Sequence, residues 1–291
     1  MSGPHHIADV TNQLGEGILW DAREGVALWI DIEGAAFWRW AIGQSDPQSF
    51  ALPQRPGSIA LTQVPGCYIG AFEEGFARFT PASGAFEMLC AITADQPHLR
   101  MNDGRVDRSG TFWAGSMAEC AGVPLGSLWR FDGGDLATRF IDDIRIPNSL
   151  CWSLDGRTMY FADSPRNLIW RYAFDPKNGP VGDPELFATT PIGIHPDGSC
   201  IDGEDHLWNA QWGGGEIVRY RPDGSIERRL SLPVSQPSCV AFGGEALDLL
   251  MVTSARVDLS AEQLEAEPLA GALLVYSVDV CGVPEVICTR V

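Results

Sequence analysis

Short apolar runs, each closed by Gly, Pro, Asp or Asn, follow one another along almost the whole chain. One phrase returns six times: "FWRW" (37–40), "FARF" (76–79), "LWRF" (128–131), "IWRY" (169–172), "IVRY" (217–220) and "LLVY" (273–276). Five copies place Arg third, at Arg39, Arg78, Arg130, Arg171 and Arg219; the sixth has Val275 there. Aromatic and β-branched residues in such runs read as strands. Each copy is preceded by another strand signal ("ALWIDI", "CYIGAF", "TFWAGS", "MYFADS", "HLWNAQ", "LLMVTS") and followed by a further one ("SFALP", "AFEML", "TRFID", "ELFAT", "ERRLSL", "EVICT"). Turn residues such as "PASG", "SLDG" and "RPDG" separate them.

A polar opening recurs ahead of each set. With Glu16, Gly57, Asn102, Asn148, Asp197 and Ser238 as anchors, successive gaps are 41, 45, 46, 49 and 41 residues. Four strands per repeat of this length, six times over, predict an all-β fold, a six-bladed β-propeller with four-stranded blades forming one domain over 1–291. The one helix-like segment, "LSAEQLEAEP" (259–268), falls between the second and third strands of the last repeat. Ring closure is expected from "HIADV" (6–10) lying beside the C-terminal "EVICTRV".

In a propeller the anchors, each expected just before an innermost strand, gather at one mouth of the central channel. Blade interiors must repeat because each packs on similar neighbours, whereas the mouth is free to vary. Glu16, Asn148 and Asp197 bring oxygen donors from three blades, two carboxylates and an amide. That set, without His or Cys, suits Ca²⁺, Mg²⁺ or Mn²⁺ and leaves coordination positions open. Taken singly, Asn and Asp at such places cap turns; three pointing at one axis make a site. Arg100 and Asn102 occupy the same rim and offer donors to a polar substrate. Asp103 and Asp107 read as turn residues; His195, two residues before Asp197, reads as a solvated loop residue in preference to one lining the mouth, and Trp113, Trp208 and Trp212 as blade packing in preference to a sugar platform, Trp212 least firmly.

The balance of 38 acidic to 20 basic residues, a formal charge of −18, disfavours nucleic acid and anionic membranes as partners. No basic n-region with an apolar h-region opens the chain, and no apolar run reaches 18 residues, so a cytoplasmic location is expected. The eight cysteines form no C-x-x-C pair, and Cys151 and Cys200 fall three residues after Asn148 and Asp197, as small core residues of equivalent strands would. Nucleophile elbow, H-E-x-x-H, Walker and dinucleotide-binding motifs are all missing.

"LGEGILWD" (14–21), "RMNDGRVDRSGTFWAGSM" (100–117), "IPNSLCWSLDGRTMYFADS" (146–164), "HPDGSCIDGEDHLWNAQWGGG" (195–215) and "CVAFGGEALDLLMVTSAR" (239–256) together closely resemble the SMP-30/gluconolactonase/luciferin-regenerating family. The resemblance implies a six-bladed propeller holding one divalent cation (Ca, Mg, Mn, Zn or Fe(II)) and hydrolysing a sugar-acid lactone to the aldonate. By position it implies Glu16, Asn148 and Asp197 as metal ligands, Asp197 as the general base, and Arg100 and Asn102 as substrate contacts. Two departures stand out. The glycine usual after the metal-binding Asn is Ser149, which puts the local backbone in question. Where the animal proteins carry a sugar-binding Glu this chain has Cys120, with Glu119 just before it as the candidate substrate contact. Two other functions fit the same residues: a non-catalytic metal-binding propeller with a docking surface, and a metal-dependent aryl or organophosphate esterase.

Overall fold

The computed structural model describes residues 3–43, 46–120 and 123–291. Among them are six four-stranded antiparallel sheets, arranged as the blades of a propeller. Blade 1 runs outward through Gly15–Asp21, Val26–Asp31, Ala36–Trp40 and Gln48–Ala51. Blades 2 to 5 repeat this order, starting from the innermost strands Pro56–Leu61, Leu99–Val106, Pro147–Trp152 and His195–Ile201. Blade 6 is built from Pro237–Gly243, Leu249–Ser254 and Leu273–Ser277, and its outer strand is supplied by His6–Ala8 from the other end of the chain.

Burial explains the strand sequences. The innermost strand of blade 1, GEGILWD, is buried at every position, whereas the outer strand, QSFA, is almost wholly exposed or half-exposed. Inner strands are covered on both faces and so carry near-continuous apolar runs. Six apolar clusters hold the ring, each drawn from two neighbouring blades. Leu19, Leu28 and Phe37 of blade 1 meet Ile59, Tyr68 and Phe79 of blade 2. Trp113 and Leu128 of blade 3 meet Trp152 and Met159 of blade 4. The repeated arginines sit on the third strands and pair with nearby acids: Arg78 with Glu87, Arg171 with Glu185, and Arg219 with Asp202, Glu204 and Glu227. Ser260 caps the short helix Ala261–Ala266 in a capping box with Gln263, in the place expected from the sequence.

Ring closure differs from the sequence expectation. His6, Ile7 and Ala8 pair with Val275, Leu274 and Leu273, not with "EVICTRV". "EVICT" is accordingly not the fourth strand of blade 6. The strand LLVYS is buried and needs a partner for its open edge, which the N-terminal segment provides. The C-terminal segment instead crosses the channel at the end remote from the anchors. Cys288 N–H donates to Leu61 O and Thr289 N–H to Gly110 O (2.8 and 2.9 Å), while Glu285 pairs with the channel-lining Arg105 at 3.3 Å. Burial opposes the charge on Arg105, but Glu285 holds its guanidinium above the ordinary range. All eight cysteines are free, and Cys151 and Cys200 lie in equivalent buried positions of blades 4 and 5. No helix among the described residues is long and apolar enough to cross a membrane.

Candidate functional site

The anchors lie inside the innermost strands, one residue or more past their starts, not before them. In every blade the register with the second strand slips at or just beyond the anchor: Glu16/Leu19, Pro56/Ser58, Met101/Gly104, Asn148/Cys151, Pro196/Ser199 and Pro237/Val240. A bulge leaves residues outside the ladder and re-aims their side chains, here toward the channel axis. Two anchors serve packing. A Cβ on Gly57 would stand 2.5 Å from Met101 O, and the Ser238 hydroxyl ties blade 6 to blade 1 through Gly15 O.

Glu16, Asn102, Asn148 and Asp197 line one cavity of about 360 Å³, together with Arg100 and Glu119. Asn148 Nδ2 donates to Ser164 Oγ (2.8 Å), and that hydroxyl donates to Pro196 O (2.7 Å). With its nitrogen committed, Asn148 turns Oδ1 toward Asn102, accepting from Asn102 Nδ2 at 3.3 Å with further acceptor capacity left. Asn102 Nδ2 also donates to Pro147 O (3.0 Å), and Asn102 Oδ1 accepts from Arg100 Nη1 (2.7 Å). Arg100 Nε is buried without a hydrogen bond; Glu119 Oε2 lies 3.9 Å away, too far for one. Burial pulls the Arg100 guanidinium below its ordinary value, partly offset by Glu119 and Glu33.

Burial and Asp103 raise both central carboxyls. Burial, then Asp103, pushes Glu16 up to about 8, and Glu16 is in hydrogen-bond contact with Asp197. Burial, then Glu16 and Asp103, raises Asp197 well above the usual carboxylate range. Two buried acids in contact need a shared proton or a cation between them. With a preset amide oxygen beside them, these donors fit a hard divalent cation. Among the described residues no group of three or more His, Cys, Asp or Glu is placed to hold a metal; the third donor here is an amide.

Ser149 resolves the question raised by the missing glycine. It takes φ +59°, matching Gly17 at +58° after Glu16. That conformation is unfavourable for a side chain, but the hydroxyl finds three partners. Ser149 Oγ donates to Asp197 O (2.6 Å) and accepts from Ser199 Oγ (3.0 Å) and Asn209 Nδ2 (2.9 Å). The blade 4 donor segment is thereby bonded to the backbone of the blade 5 donor.

Other expectations need correction. His195 is the first residue of an innermost strand and lines the cavity, its Nδ1 3.1 Å from Ser164 O; it is not a loop residue in solvent. Trp212, opposite His195 in the ladder, also lines the cavity, whereas Trp113 and Trp208 are packed within blades. Asp103 is not a simple turn residue, since it faces both central acids and accepts from Leu150 N–H (3.0 Å). Asp107 does cap a turn. Cys120 is exposed, and Glu119 reaches the cavity in its stead. A signal for His195 was present: in a strand, residues two apart share a face, as Arg100 and Asn102 do.

Residues 14–256 match the family described as SMP-30/Gluconolactonase/LRE-like region. L-arabinolactonase of Azospirillum brasilense is 40% identical over 274 residues, covering 92% of this chain and 90% of that protein. The 6-deoxy-6-sulfogluconolactonase of Pseudomonas putida is 34% identical, covering 94% of each. Among solved structures, a calcium-binding protein of Agrobacterium tumefaciens, regucalcin, superposes with a TM-score of 0.92 at 32% identity, over 99% of both chains. Six blades, an oxygen-lined hub and full-length likeness agree: the chain belongs to the SMP-30/gluconolactonase/LRE-like family.

Proposed function

We propose that the protein hydrolyses a sugar-acid lactone to the aldonate, using a divalent cation held by Glu16, Asn148 and Asp197. The observation that supports this reading is that those three donors line one cavity, Glu16 in hydrogen-bond contact with Asp197, beside an Arg100 Nε that is buried without a hydrogen bond. Relatives named as lactonases, alike over nearly the full length, support it. When bound, the cation supplies Lewis acidity to the lactone carbonyl. Asp197 orients a water against the carbonyl carbon and accepts its proton. The ring C–O bond then breaks, and the departing ring oxygen takes up a proton to become a hydroxyl. Arg100 and Asn102 hold sugar hydroxyls, and Glu119 is placed to accept from one, so the carbonyl meets the water in one pose. Ile146, Met117 and Trp212 line the cavity too and offer cover to the C–H face of a sugar ring.

Replacement of Asp197 by Asn keeps the size and removes the base. Turnover of an aldonolactone panel, followed with a pH indicator, is expected to fall by about 10²–10⁴-fold with the fold intact by circular dichroism. Unchanged turnover would eliminate the assignment. Tight cation binding with no lactone consumed would favour a non-catalytic role, and turnover of aryl esters alone would favour the esterase.

A further inference from the structure

We infer that the site selects neutral sugar lactones against lactones carrying a second, anionic group; this rests on the function proposed above. With a divalent cation balancing Glu16 and Asp197, the charged groups lining the rest of the cavity are Glu33, Glu119 and Asp258 against Arg100 alone. Arg55 stands behind this wall and pairs with both Glu33 and Glu119, but it is already matched by Glu73, its Nε 2.6 Å from Glu73 Oε1. The uncompensated charge at the entrance is therefore negative, within a chain of net charge −18. Glu33, Glu119 and Asp258 are exposed rim residues, so their repulsion acts on the distal end of a substrate and is screened by salt. Arg100 offsets one of these three charges at most, and its Nε already faces Glu119 Oε2 at 3.9 Å. Its Nη1 is committed to Met101 O and Asn102 Oδ1, at 3.0 and 2.7 Å, deep in the wall. A carboxylate, sulfonate or phosphate at the far end of the lactone would meet three carboxylates against Arg100, the one Lys or Arg lining the cavity among the described residues. A hydroxymethyl or hydroxyl group there can donate to the same oxygens.

The test uses a matched pair, D-glucono-1,4-lactone and D-glucaro-1,4-lactone, which share ring size and differ by one terminal carboxylate. Assays of the metal-loaded full chain run at pH 7.5, above the ordinary imidazole range, in low and high salt. At low ionic strength kcat/KM for the neutral lactone is expected to exceed that for the anionic one by at least tenfold. The ratio should shrink in 0.5 M NaCl and in a Glu33→Gln/Asp258→Asn variant; Asn tolerates the left-handed φ of +64° at position 258. Equal or faster turnover of the anionic lactone, or a ratio indifferent to salt and to the variant, overturns the inference while leaving lactonase activity standing. Turnover of neither above the spontaneous rate overturns both.

Discussion

Glu16 and Asp197 show what burial demands of single residues. Both carboxyls are raised by burial and by Asp103, Asp197 by Glu16 as well, and Glu16 reaches about 8. For an acid raised on folding, the native state binds more protons than the unfolded chain, so stability falls as pH climbs from the unfolded value toward the folded one. Metal-stripped protein is therefore expected to lose several degrees of Tm between pH 5 and pH 8, and a divalent cation should restore it at pH 8. Calorimetry with and without chelator checks this; a Tm rising over the same window in stripped protein would show that the pair is not the dominant strain. Glu16, Asn148 and Asp197 could be grouped from the sequence because each repeat opens at an equivalent position, and these three carry oxygen acceptors there. The tier above them could have been read with the period-two rule. Residues two before the anchors of blades 1, 3, 4 and 5, namely Leu14, Arg100, Ile146 and His195, all line the cavity. Asp103 was not legible, because its role depends on the bulge that turns it inward, and bulges leave no residue signature there.

The strands were legible because the repeat is written in apolar runs, and the bulges explain why the anchors project from within a strand when turn chemistry suggested a position before it. The inner strands of blades 3 and 5 also end in an aspartate that locks them to their blades. In blade 5 the buried Asp202 accepts from Glu204 N–H and His206 N–H through Oδ1, and from Trp208 Nε1 and Arg219 Nε through Oδ2 (2.8 Å each). Blade 3 repeats it, Asp107 accepting from Ser109 N–H, Thr111 N–H and Trp113 Nε1. Removing Asp202 leaves the buried Trp208 indole N–H and two backbone N–H groups without their acceptor and takes one of three carboxylates from Arg219. Asp202→Ala should thus cost about 1–3 kcal/mol in urea unfolding, with cation affinity of the folded protein little changed. A loss below about 1 kcal/mol would mean that solvent reaches Arg219 and that the cluster is not locking the blade.

The chain ends were the least legible part of the molecule. "HIADV" and "EVICTRV" are both short and strand-like, and nothing local tells which one completes blade 6. The closed ring settles it. A propeller sealed by His6–Ala8 joins first and last blades, which frees the C-terminal segment to cross the remote end of the channel and pair Glu285 with Arg105. The site then opens at one mouth only, toward the acidic rim. The whole account depends on oxygen atoms from blades 1, 4 and 5 sharing one ion. Crystals grown with Mn²⁺ and measured at the manganese absorption edge would show where the ion sits. A single anomalous peak is expected within about 2.6 Å of an oxygen of each of Glu16, Asn148 and Asp197; a tightly bound ion elsewhere in the molecule would contradict it.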